Sequence, residues 1–194
     1  MNELVTIIII LVCILSFFLH YESTYSQLTY VTSTLDGKKY LVRNKIDKQE
    51  AADLLAKVRI NLDKLAEYLK KNHKNDIRIH RLIKNYKPEK LSESIPKANY
   101  TSYSVNKGEK IVFCIRSKDE KEELVSINTI MFVAIHELAH VITKSIGHTD
   151  EFWNNMKFLL KKSIKIGIYH QHDYKNNPIP YCGTEITDSP LSDN

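Results

Sequence analysis

Glycine and proline are scarce in this chain, at five each in 194 residues. With 43% hydrophobic and 26% charged residues, that scarcity excludes disorder as the main state. Cysteine is scarcer still, at three. Cys13 lies inside an apolar run, and Cys114 and Cys182 are far apart and solitary. None belongs to a CxxC pair, which excludes a zinc ribbon. Two free thiols are expected, with a Cys114–Cys182 disulfide as the alternative in an oxidising compartment. No internal repeat or low-complexity tract is present. Neither sign of charge dominates. The net charge of +5 favours anionic partners weakly and identifies none.

What is present is enough chain for one domain with a real core. Residues 4–19 read LVTIIIILVCILSFFL, without a charge. As a helix this run spans roughly 24 Å, short for a bilayer core. A signal peptide is the rival reading, but no Lys or Arg precedes the run and "HYESTYS" makes a poor cleavage site. The expectation is a single-pass membrane anchor over residues 1–21, then a linker over 22–27. The main domain follows over 28–185, with a flexible tail over 186–194. The side of the membrane that the domain faces is open. Lys38 and Lys39 lean towards the cytoplasm. Asn99-Tyr100-Thr101 forms a glycosylation sequon, a triplet common by chance.

"LTYVTSTLDGKKYLVR" alternates and breaks at Asp36-Gly37, which predicts an opening β-hairpin with a tight turn. A helix follows, with Asp47 and Glu50 at capping-box spacing. Its Leu55, Val58, Leu62, Leu65 and Leu69 form one apolar stripe. A shorter helix runs from about Asp76 to Tyr86. Residues 70–90 are rich in Lys and Arg. A solvated helix face explains them better than a nucleic-acid patch containing Arg78, Arg81 and Lys84. A second hairpin turns at Asn106-Lys107-Gly108. An apolar helix then starts near Asn128, the expected N-cap.

That helix carries the chemistry. In "VAIHELAHVITKSIGHTDEFW", His136 and His140 are four apart and project from one helix face, so both imidazoles reach one ion. Glu137 lies about 100° round the same helix, beside the ion. This suits metal-assisted hydrolysis: the ion acidifies a water, and the carboxylate takes and returns a proton. A catalytic zinc needs a third protein ligand. Gly147 is placed to stop the helix, and His148 follows on the turn. Glu151 or Glu185 is the alternative ligand. Thr149 caps the next helix, whose apolar face is Phe152, Met156, Leu159 and Leu160; Gly167 ends it. An oxyanion donor is also expected, with His170, His172, Tyr174 and Tyr181 as candidates.

"HELAH" followed by "GHTDEFW" resembles the WLM and SprT-like zinc metallopeptidases. "STLDGKKYLVRN", "KQEAADLLAKVR" and "DYKNNPIPYCGTEITDSP" are similar to domains found in large DNA viruses. The resemblance implies one zinc ion held by His136, His140 and His148, Glu137 as base, and a protein or peptide substrate. Some relatives cut proteins crosslinked to DNA; a nucleic-acid partner is possible here but not favoured. The expected fold is α+β and zincin-like, with a small antiparallel sheet of hairpins packed on the HExxH helix and further helices. The expected function is a membrane-tethered zinc metalloendopeptidase. The alternatives are a catalytically silent zinc-binding membrane-tethered protein and a protease acting on DNA-bound proteins.

Overall fold

In the computed structural model, residues 3–25, 27–96 and 101–192 are described. Asn99 of the sequon lies outside them. Among the described residues, five α-helices and seven strands succeed one another as α1 (Glu3–Tyr25), β1 (Leu28–Thr32), β2 (Lys39–Arg43), α2 (Lys48–Asn72), α3 (Ile77–Asn85), β3 (Leu91–Glu93), β4 (Tyr103–Val105), β5 (Lys110–Phe113), α4 (Ile127–Ile142), α5 (Asp150–Lys165), β6 (Ile179–Tyr181) and β7 (Thr184–Ile186). The α+β expectation holds.

The membrane expectation does not. Among the described residues no helix is long and apolar enough to cross a membrane, so a single-pass anchor is not supported. The run of residues 4–19 falls short of the roughly 30 Å that a hydrocarbon core requires. Helix α1 also continues to Tyr25, through most of the expected linker.

The sheet is mixed, in the order β1-β2-β3-β5-β4. Each hairpin is antiparallel, as expected, but β3 lies between them and runs parallel to both β2 and β5. Three residues, Leu-Ser-Glu, are too short to show alternation in the sequence. What locks β3 in place is polar: buried Glu93 accepts from Arg43 N (2.7 Å) and Arg116 Nε (2.8 Å). Arg116 also pairs with Asp47. The Asp47 side chain therefore makes no cap hydrogen bond to α2, against the capping-box expectation. The first turn also differs. The loop between β1 and β2 spans residues 33–38, closed by Ser33 N to Lys38 O, and only Gly37 in it has positive φ.

Helix α2 lays its Leu55, Val58, Leu62, Leu65 and Leu69 stripe fully into the core. It packs against β1, β2 and β3 on one side and α3 and α4 on the other. Helix α4 is apolar nearly all round, from Ile130 to Ile142, which demands a central position. It contacts α2, α3, α5 and β4. Its N-cap is Ser126, whose Oγ accepts from Thr129 N at 3.1 Å. Asn128, the expected cap, instead pairs with the backbone of His170 through both amide atoms.

The second hairpin turns as expected, with positive φ at Asn106, Lys107 and Gly108. A Cβ at Gly108 would stand 2.9 Å from both Asn85 O and Val141 Cγ2, at φ +110. Gly108→Ala is expected to destabilise the fold by about 1–3 kcal/mol through strain and this close approach. The denaturant midpoint checks it; an unshifted midpoint would refute the account.

Cys114 and Cys182 form a disulfide, which overturns the expectation of two free thiols. The reason is topological. The β6–β7 hairpin folds back on the end of β5, bringing the two Cα atoms to 6.1 Å, within bonding range. Cys13 is free and exposed. The expected flexible tail is also partly anchored, since Ser189 and Leu191 are buried.

Candidate metal centre

The site is built around one turn of α4. His136 and His140 stack along its face with ring centroids 4.9 Å apart. Helix α4 ends at Ile142, five residues before Gly147, so Gly147 does not stop it. Thr143 closes the helix, with its N–H on Ala139 O. Gly147, at φ +81, then turns the chain back. This brings His148 Nε2 to 3.1 Å from His136 Nε2. Ring nitrogens of His136, His140 and His148 all lie within 4.8 Å of one another. Among the described residues theirs is the one such cluster of possible metal ligands.

Helix α5 supplies the floor. Thr149 caps it, as expected, with Oγ1 accepting from Phe152 N. Phe152 is fully buried beneath all three imidazoles, at centroid distances of 4.8, 4.3 and 4.8 Å. Trp153 stacks on His148. Gly167, at φ +71, follows the end of the helix.

Burial sets the charges here. It pushes His136 down to about 3, helped by its two histidine neighbours. It pushes His140 down to about 4, with His148 and then Lys107 contributing. Neutral imidazoles with free lone pairs are the form that a metal ion requires. Glu137 is buried, and burial pushes its carboxyl up to about 7, opposed by a hydrogen bond from the Ser104 N–H. The donor set of three nitrogens fits zinc, with a position left open for water or substrate.

These groups line a cleft of about 670 Å³. One wall is β4 and its flanks, with Ser102, Tyr103, Ser104 and Lys107. The C-terminal hairpin and the residues after it add Tyr181, Glu185, Ile186 and Asp188 to the lining. Of the four oxyanion candidates only Tyr181 lines the cleft. Its hydroxyl is 2.7 Å from Ser102 Oγ, and burial, opposed by Ser102 and reinforced by the nearby Glu137, keeps it protonated. Tyr174 is buried against Phe132, while His170 is exposed with its backbone on Asn128, and half-buried His172 meets Asn177 O.

The alternative third ligands lie outside the cluster. Glu151 accepts from Lys144 N and Ser145 N. Glu185 lines the cleft but does not converge with the histidines. Two arginines of the basic stretch are committed elsewhere. Arg78 pairs with Asp76 and Asn155, and Arg81 with Ile142 O. The Ser104 N–H, the Ser102–Tyr181 pair and the role of Lys107 carry no sequence signal, because each is a contact across the fold.

The WLM domain matches residues 40–189. The chain belongs to the WLM family. Among relatives, it is 36% identical over 188 residues to uncharacterised protein R325 of Acanthamoeba polyphaga mimivirus, covering 95% of this chain and 94% of that one. It is 34% identical over 71 residues to uncharacterised protein 136R of Invertebrate iridescent virus 6, covering 36% and 39%. Both relatives are encoded by large DNA viruses, as the resemblance implied. Among solved structures, a mutant of Wss1 from Saccharomyces cerevisiae aligns with a TM-score of 0.51 at 22% identity, covering 65% of this chain and 88% of that one. The likeness carries the WLM fold. Membership of the WLM family supports a zinc-metalloprotease-like function.

Proposed function

We propose that the chain is a zinc-dependent metalloendopeptidase in which His136, His140 and His148 hold the ion and Glu137 is the general base. The observation that supports this most is three imidazoles converging beside a buried carboxyl in an open cleft. Zinc held there would acidify a water molecule and polarise the scissile carbonyl. Glu137, with a proton affinity poised near neutrality, takes the water's proton and hands it to the leaving amine. Tyr181 stays protonated and donates to the oxygen on which negative charge develops. Edge strand β4 borders the cleft, and an extended protein or peptide substrate can lie alongside it.

Metal analysis of wild type and His148→Ala, with a peptide-library cleavage assay on the same samples, tests this reading. Wild type is expected to carry one zinc and to cleave. His148→Ala should lose more than about 100-fold in zinc affinity, beyond what a supporting residue would cost, and lose cleavage with it. A His148→Ala chain with full zinc and full cleavage would remove His148 from the ligand set.

A further inference from the structure

The third proposed ligand stands on a loop. A ligand carried by a loop must be held still, or ordering it subtracts from metal affinity. Residues 143–145 follow the end of α4, where helix carbonyls lack intrahelical partners. The Lys107 ammonium donates to three carbonyls there: Thr143 O at 2.6 Å, Lys144 O at 2.9 Å and Ser145 O at 2.8 Å. Three donors meet three acceptors, so this lysine has none left for a substrate. From the other side, the Glu151 carboxylate accepts from Lys144 N at 3.1 Å and Ser145 N at 3.0 Å. Arg81 donates to Ile142 O at 2.9 Å. Ser145 Oγ and Thr149 Oγ1, which flank the Gly147-His148 turn, are 2.7 Å apart.

The aim of Lys107 is itself fixed. Asn106 and Lys107 both adopt the left-handed conformation, and Gly108 packs tightly on Val141 of α4. The β4–β5 turn is thus docked on the helix whose end it caps.

We propose that Lys107 and Glu151 are positioning residues for His148: a cationic and an anionic side chain grip the two polar edges of one loop and hold the third imidazole ready for the metal. This rests on the reading of His148 as a ligand. Electrostatics alone predicts the opposite effect for Lys107. Its charge disfavours cations near His140, so removing it would tighten metal binding if positioning did not matter.

The experiment is zinc and cobalt titration of the full chain as wild type, Lys107→Met, His148→Ala and the double variant. Lys107→Met should weaken zinc binding by about 10–100-fold, the range for residues that orient a ligand. It should also lower the intensity of the cobalt visible bands as the third imidazole detaches. In the His148→Ala background the same change should have no further effect, because the two residues act as one unit. Unchanged or tighter binding by Lys107→Met would overturn the proposal, as would an equal loss in both backgrounds. If circular dichroism shows that Lys107→Met does not fold, Glu151→Gln carries the same comparison. A wild type that binds no metal removes the metal-site reading itself. A wild type that Lys107→Met and Glu151→Gln match in affinity, while His148→Ala binds more weakly, removes only the positioning role.

Discussion

Glu137→Gln is expected to lower peptide-bond hydrolysis by about 10²–10⁴-fold while zinc stays bound. The substitution is nearly isosteric, and the glutamine carbonyl still accepts from the Ser104 N–H. Packing on α4 is therefore preserved. What is lost is the capacity to take a proton. Because Glu137 is not among the three converging side chains, metal content should not change. Parallel metal analysis and single-turnover cleavage separate the two effects. Full activity in Glu137→Gln would end the general-base assignment. Loss of zinc would mean that Glu137 helps hold the ion instead.

The second large effect concerns Cys114 and Cys182. Opening a cross-link across a sequence separation of 68 should cost about 4 kcal/mol of stability by the chain-entropy account. Unfolding with and without reductant, and of a Cys114→Ser/Cys182→Ser variant, measures it. An unchanged midpoint would refute the estimate. The loss should fall first on the cleft. Cys182 adjoins Tyr181, and the hairpin beyond it supplies Glu185, Ile186 and Asp188 to the wall. Reduction should therefore raise KM under conditions where the core is still folded, since α2, α4 and α5 supply most of that core.

The parts of the fold legible in the sequence are those with a local cause. The α2 stripe, the Thr149 cap and the Asn106-Lys107-Gly108 turn each follow from a few adjacent residues. The histidine spacing on α4 is of the same kind. Strand β3 was hidden because its register depends on Glu93 meeting Arg116 and Arg43, partners from two other segments. The same arginine drew Asp47 away from the capping role that its neighbours implied. Asn128 looked like a helix cap, but a better use for its amide lay on the far side of the fold, at His170. The disulfide was a matter of which hairpin folds onto which strand, and cysteine spacing does not encode that. In the site, His148 was legible through Gly147, although α4 stops at Ile142 and a clamped loop carries the chain from there. The apolar run at residues 4–19 marked a helix correctly and a membrane crossing incorrectly, since length decides the second.

The walls of the cleft differ in when they leave the ribosome. Strand β4, the imidazoles and the α5 floor precede residue 166 in the chain, whereas the last part of the lining waits for residues 181–188. A nascent chain released in this order carries the three histidines and Glu137 before the last part of the cleft is built. The cleft is complete only after the last hairpin has docked and Cys182 has met Cys114. Under the proposed function, synthesis separates loading of the ion from competence to cut, and the cysteine pair marks the moment of transition.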